Sequence, residues 1–285
     1  MIGKRNRSAA PRTRAFTHTG LLIGAVLTGL FVLTAIMSVA YTPYNPVKMA
    51  VEERLKGPSI EHSLGTDQYG RDVLSRIMEG AQNSILVGLV AVGIGMTTGV
   101  LLGLIAAFST RWIDEGMMRV LDVVYAFPAI LNAILFVAFL GPGILNAMIA
   151  IGIHNVPIFA RLARASVLVQ KEEEYVLAAR SLGQPRWQIA LRHILPNILS
   201  PLIVQGTIQF AAAILTEAAL SYLGLGTQLP YPSWGRMLRE AQTFMALAPS
   251  LAVFPGLAIA LSVLGLNLLG DGLRDLLDPR LRRTR

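Results

Sequence analysis

The stretch Val123–Ala160, VVYAFPAILNAILFVAFLGPGILNAMIAIGIHNVPIFA, contains no charged residue. A helix needs about 20 mainly apolar residues, at about 1.5 Å rise each, to cross a hydrocarbon core of about 30 Å. This stretch is too long for one crossing, and Gly141-Pro142-Gly143 near its middle is a turn signal. It therefore predicts two spanning helices joined by a tight hairpin.

Outward from this stretch, Leu21–Tyr41 and Ile85–Phe108 qualify directly as spans. A fifth is expected from about Pro196 to Leu215 and a sixth from about Pro249 to Gly270, each opening on a proline whose missing N–H is harmless at a helix start. The expected fold class is an all-α membrane protein with about six transmembrane helices. The expected organisation is a basic cytoplasmic N-terminus (1–20), a first transmembrane helix (21–41) and an external loop (42–80). A five-helix core (81–270) with a cytoplasmic loop at 170–195 follows, then a cytoplasmic tail (271–285). Leu21–Tyr41 is longer than a signal-peptide core and lacks a cleavage site, so it reads as a retained span.

Composition agrees with lipid as the solvent. Of the 285 residues 53% are apolar and only 15% charged, against about 25% charged in soluble domains. Cysteine is absent, which excludes disulfides, Cys-based metal sites and a Cys nucleophile. The net charge of +8 would suggest nucleic acid in a soluble protein, but in a membrane protein basic residues mark cytoplasmic loops. With the N-terminus inside, 18 of the 25 Lys and Arg residues fall on the cytoplasmic side and 7 outside, giving an N-in, C-in topology. The external loop Thr42–Gly80 carries 5 of those 7, accompanied by 6 acidic residues.

Gly95, Gly99 and Gly103 recur every four residues and leave a flat face on the second span. Ordinary intrachain packing and a face for a partner subunit both fit that pattern.

The cytoplasmic loop after Gln170, KEEEYVLAARSLGQPRWQIALRHILP, has an organised pattern. Glu172, Glu173 and Glu174 favour the positive end of a short helix, and Ala178, Ala179 and Leu182 are good helix formers. Gly183 offers a stop, and Gln184-Pro185 a turn into a second short helix ending before Pro196. The small residues Ala178, Ala179 and Gly183 suit entry into a groove on another protein, with Tyr175, Arg180 and Arg186 as anchors. An amphipathic element on lipid headgroups, where Arg and Trp187 are also at home, fits equally.

The spacing Ala178-Ala179, three residues, Gly183, then eleven residues to Leu195-Pro196 resembles the cytoplasmic coupling-loop signature of bacterial ABC import permeases. That signature reads Glu-Ala-Ala, three residues, Gly, nine residues, Ile, one residue, Leu-Pro. Leu177 stands in place of its Glu and His193 in place of its Ile. Other segments are similar to the peptide-importer branch, the dipeptide and oligopeptide permease subunits of the C type. They are LGTDQYGRDVLSR from Leu64 to Arg76, RHILPN from Arg192, EAALSYLGLG from Glu217, PSWG from Pro232 and NLLGDGLRDLLDPR from Asn267.

The resemblance implies a type I ABC importer permease fold, multi-pass in the bacterial inner membrane. It implies a second homologous permease subunit, two ATPase subunits and an extracytoplasmic solute-binding protein as partners, with membrane lipid around the spans and no nucleic acid. ATP and Mg would sit on the ATPases, since no Gly-x-x-x-x-Gly-Lys-Ser/Thr occurs here; no cofactor, metal or catalytic residue is expected on this chain. Glu174, Tyr175, Ala178, Ala179, Arg180, Gly183 and Arg186 would form the ATPase interface. Arg71 and Asp72 would either shape the docking surface for the binding protein or steady the external loop by a local salt bridge. Di- or oligopeptides are the implied substrate, and the branch also includes importers of nickel chelates, glutathione, sugars and opines.

Polar residues at membrane depth face a cavity or another helix, because lipid cannot satisfy them. Asn132, Asn155, Gln205, Gln209 and Glu217 are the pathway candidates, with interhelical hydrogen bonding as the plainer alternative. His154 lacks metal-ligand company and reads as packing. An ion-driven transporter would place several ionisable residues at the midplane, and Glu217 is the only strong acid there. An intramembrane enzyme would need a nucleophile and base, and neither His-Glu-x-x-His nor Gly-x-Ser-x-Gly occurs.

Overall fold

The computed structural model describes residues 12–277, with side chains from residue 19. Residues 1–11 of the expected N-terminus and 278–285 of the expected tail lie outside them. All the regular elements described are helical: α1 (Arg12–Ala40), α2 (Val73–Phe108), α3 (Arg111–Tyr125), α4 (Ala129–Leu140) and α5 (Ile144–Gln170). They continue with α6 (Glu174–Ser181), α7 (Arg186–Gln188), a π-helical stretch Ile189–Ile194, α8 (Leu195–Leu223), α9 (Trp234–Ala241) and α10 (Ser250–Leu277). Short 3₁₀ turns lie at Val51–Glu53 and Gln242–Phe244.

Among the described residues five helices are long and apolar enough to cross a membrane, and the bent pair α3–α4, taken as one broken span, brings the number to six. Elements expected on one side of the membrane meet at one end. Lys171 after α5 reaches Ala107 at the end of α2, and Arg164 reaches Asp114 of α3. At the other end, Asn83 bonds Pro232 and the Gly143 N–H bonds the Leu225 carbonyl. The N-in, C-in arrangement brings these same groups together.

Without a hydrophobic drive between helices in lipid, close van der Waals packing holds the bundle. The glycine stripe of α2 is used inside the chain, against α5. A Cβ on Gly99 would stand 2.6 Å from the Val156 carbonyl, and one on Gly103 2.5 Å from that of Ala160. The outward stripe Leu22, Val26, Leu30, Leu33, Ile36 and Val39 of α1 is exposed, as a lipid-facing surface requires.

Two expectations are corrected. The third span does not run unbroken from Val123: α3 and α4 meet at 87° across Ala126-Phe127-Pro128. Proline drives its predecessor out of the α region, so the helix ends before Pro128, a second break that Gly141-Pro142-Gly143 overshadowed. At 12 residues α4 is only about 18 Å long, short of a full crossing. The second correction concerns the helix expected to end before Pro196. It runs on through the π stretch into α8 as one 38-residue unit, Arg186–Leu223. A π turn accommodates a residue that cannot donate to the ladder, and Asn197 Nδ2 bonds the His193 carbonyl at 2.6 Å.

Candidate functional site

At the inner end, α6 forms as its residues dictate. Glu174 lies in its first turn and Arg180 in its last, each favourable to the helix dipole. It ends in a Schellman motif: Gln184 N–H bonds Ala179 O at 3.2 Å and Gly183 N–H bonds Arg180 O at 3.0 Å. Gly183 takes φ +76°, a conformation that glycine adopts without strain.

With 100° between neighbours, Ala178 and Ala179 cannot share one face of α6. Val176 and Ala179, three apart, are buried in the cluster that holds Ala107, Phe159, Val167 and Ile194. Ala179 was expected in the partner's groove and instead lies inside this chain, where a small side chain lets α6 approach the spans. The outward surface carries Glu174, Tyr175, Leu177, Ala178, Arg180 and Gly183, with Leu182 80% exposed. The sequence marks Leu182 only as a helix former.

The loop is tied to the bundle by cations. Lys171 Nζ donates to Ala107 O at 2.8 Å and sits 5.0 Å from the centre of the Phe108 ring. Arg186 Nη1 donates to Phe108 O at 3.4 Å, so Arg186 braces the loop as well as bordering its surface. Burial, then the neighbouring Arg180 and Arg186, hold the Lys171 amine below its ordinary range. Tyr175 hydrogen-bonds Gln170 and accepts from Asn197 Nδ2 at 3.3 Å. His193 pairs with Gln184 at 2.9 Å, which gives the departure from the signature's Ile a local partner. Lys171 escaped the sequence reading because its carbonyl partner lies 64 residues away.

At membrane depth the structure unites some of the expected residues and separates others. Asn155 of α5 and Gln209 of α8 line a common cavity of about 50 Å³ with His154 and Thr216. Asn155 is 3% exposed, and its Nδ2 has no partner among the described residues. Asn132 Nδ2 donates to Val124 O at 2.7 Å and contacts His154 Nδ1 at 3.2 Å, so it satisfies a carbonyl freed by the break before α4. Gln205, one turn from Gln209, lies outside this cavity. Glu217 is eight residues from Gln209, which rotates it about 80° away on a 3.6-residue period. It is buried at the outer end, accepting from Ser221 Oγ at 2.5 Å, Thr227 Oγ1 at 3.2 Å and Ser233.

At the outer end, Arg71 and Asp72 are almost wholly buried and organise the external loop from within. Arg71 Nε donates to Asp67 Oδ2 at 2.6 Å and Nη2 to Glu240 Oε2 at 2.6 Å. Asp72 caps α2 by accepting from Ser75 N at 2.8 Å, and it holds His62 Nδ1 at 2.9 Å. Glu240 also accepts from Arg76 Nη2 and Arg236 Nε, both at 3.0 Å. Burial alone would raise the Glu240 carboxyl; Arg76, Arg71 and Arg236 outweigh it and hold the group below its usual range.

Residues 99–283 match the family described as binding-protein-dependent transport system inner membrane component. The dipeptide transport system permease protein DppC of Alkalihalophilus pseudofirmus is 48% identical over 92% of this chain and 86% of its own. The glutathione transport system permease protein GsiD of Pectobacterium atrosepticum is 46% identical over 90% and 87%. A solved chain of the MetNI methionine ABC transporter, in an inward-facing conformation, superposes with a TM-score of 0.56 at 17% identity, covering 71% of this chain and 94% of that one. Identity over nearly the whole length, the shared importer fold and the inner-face loop converge: the chain belongs to the family of binding-protein-dependent inner membrane transport components, as an ABC importer permease subunit of the dipeptide and oligopeptide C type.

Proposed function

We propose that this permease subunit carries di- or oligopeptides inward, forming half of the pathway with a second homologous permease. Two ATPase subunits, which bind ATP and Mg, drive it, and an external binding protein supplies the solute. The subunit itself transmits motion and catalyses no covalent step. The observation that carries this reading is the geometry of α6, which buries Val176 and Ala179 and turns Leu177, Ala178 and Leu182 outward. An exposed apolar surface rimmed by Glu174, Tyr175 and Arg180 fits a protein groove, and the bracing through Lys171 and Arg186 gives a rigid path from that surface into α2. The relatives named for dipeptide and glutathione transport support small peptides as cargo.

The test is reconstitution of the chain with its second permease, ATPases and binding protein in proteoliposomes. ATP-dependent uptake of dipeptide, and hydrolysis stimulated by the loaded binding protein, are expected. Uptake by this chain alone, driven by an ion gradient, would overturn the reading; uptake of glutathione but no dipeptide would change the cargo and leave the mechanism standing.

A further inference from the structure

Between the external loop, the outer end of α8 and α9 lies a cavity of about 750 Å³, within the roughly 300–1,000 Å³ range of binding pockets. Three arginines, Arg54, Arg236 and Arg239, line it against one carboxylate, Glu240. That carboxylate is already engaged by Arg71, Arg76, Arg236 and Gln68. Arg54 and Arg239 are exposed and have no ion-pair partner among the described residues. The Arg239 guanidinium lies against Gly224, which has φ +86° and no side chain to keep it away. Behind the wall, Arg71 stacks 4.6 Å from the centre of the Tyr69 ring, which also lines the cavity, and its Nη1 is buried without a partner among the described residues. Of the three arginines that line the cavity, Arg236 is paired with Glu240, and Arg54 and Arg239 are left without a carboxylate partner among the described residues.

We propose that this pocket is the socket for an acidic side chain, Asp or Glu, of the solute-binding protein that docks on the outer face. The inference rests on the importer reading above. Arginine matches a carboxylate with paired N–H donors, and a cationic recess on the docking side steers a complementary surface into register. Arg54 and Arg239 make the contact. Arg71, Arg76 and Glu240 form the fixed floor that keeps α9 against the external loop. Burial of Arg71 and Asp72 removes them from the contact surface, so any docking role they have is exerted through the shape of this pocket.

The test uses the assembled transporter in lipid nanodiscs and its binding protein, titrated at several salt concentrations. Wild type is expected to bind more weakly as salt rises. The double variant Arg54→Gln, Arg239→Gln is expected to bind about tenfold more weakly at low salt, with a flatter salt dependence, and Arg239→Glu more weakly still. The same change at the inner-face Arg111 should have no effect. Unchanged affinity and salt dependence in the double variant would overturn the socket while leaving the importer intact. Unchanged binding-protein affinity with a fall in solute uptake would assign the pocket to the solute's own carboxylate and equally overturn it. If the binding protein failed to associate with wild type, the importer reading would fall and the socket with it.

Discussion

Lys171 Nζ donates to the Ala107 carbonyl at 2.8 Å, joining the start of the cytoplasmic loop to the last turn of α2. The last carbonyls of a helix have no intrahelical donor and sit at its negative end, so a lysine there is favourable on both counts. A hydrogen bond from a charged group contributes about 1–2 kcal/mol at such a partly exposed position. Lys171→Met is expected to keep the protein inserted but to lower the peptide transported per ATP hydrolysed several-fold, measured in proteoliposomes. An unchanged ratio would mean that burial of Val176 and Ala179 holds the loop by itself.

Ala179 inside α6 and Leu182 at its C-terminal cap separate packing from docking. Ala179→Leu forces extra volume into a filled site, costing about 1–3 kcal/mol, and should lower the thermal midpoint of the purified protein. Leu182→Ala removes an exposed side chain and should leave stability within about 0.5 kcal/mol. Its expected effect is on the ATPases, as weaker copurification and lost coupling. The opposite pattern would place the contact surface on the other side of α6.

Asn132 compensates for the break before α4. Its Nδ2 reaches Val124 O at 2.7 Å and Phe127 O at 3.4 Å, carbonyls that lipid cannot solvate. Asn132→Leu should cost about 1–3 kcal/mol through the unsatisfied carbonyl, visible as a lower unfolding midpoint in detergent. If the midpoint holds while uptake collapses, Asn132 acts on the pathway.

His62 is expected to make the external loop sensitive to pH. Burial favours its neutral form, but hydrogen bonds to Asp72 and Glu53 win, and the folded-state pKa stands above the ordinary value of about 6.5. A raised pKa contributes stability that is complete below about pH 6.5 and fades as pH climbs through the folded value. Hydrogen exchange of the segment 51–72 should therefore be faster near about pH 9 than near about pH 6, after correction for intrinsic rates. His62→Gln should abolish the difference; if the difference persists in that variant, another group is responsible.

Much of the fold was legible because lipid imposes a length rule on apolar runs, and the charge-free Val123–Ala160 already required two helices. Within it the sequence marked the hairpin at Gly141-Pro142-Gly143, but the weaker signal at Pro128 gave no indication of the 87° between the helices on either side of it. The coupling loop was legible as a short helix closed by Gly183, since capping is local chemistry.

The amino-acid sequence by itself determined the membrane class, the five unbroken apolar spans and the position of the loop, all of which follow from interactions between residues near each other or with the solvent. Tertiary structure alone decided that Ala179 faces inward while Leu182 faces out, that Asn155 meets Gln209 while Glu217 lies elsewhere, and that Arg71 closes on Glu240 across 169 residues. Those pairings depend on which helix faces which, and that is set by the packing of the whole bundle.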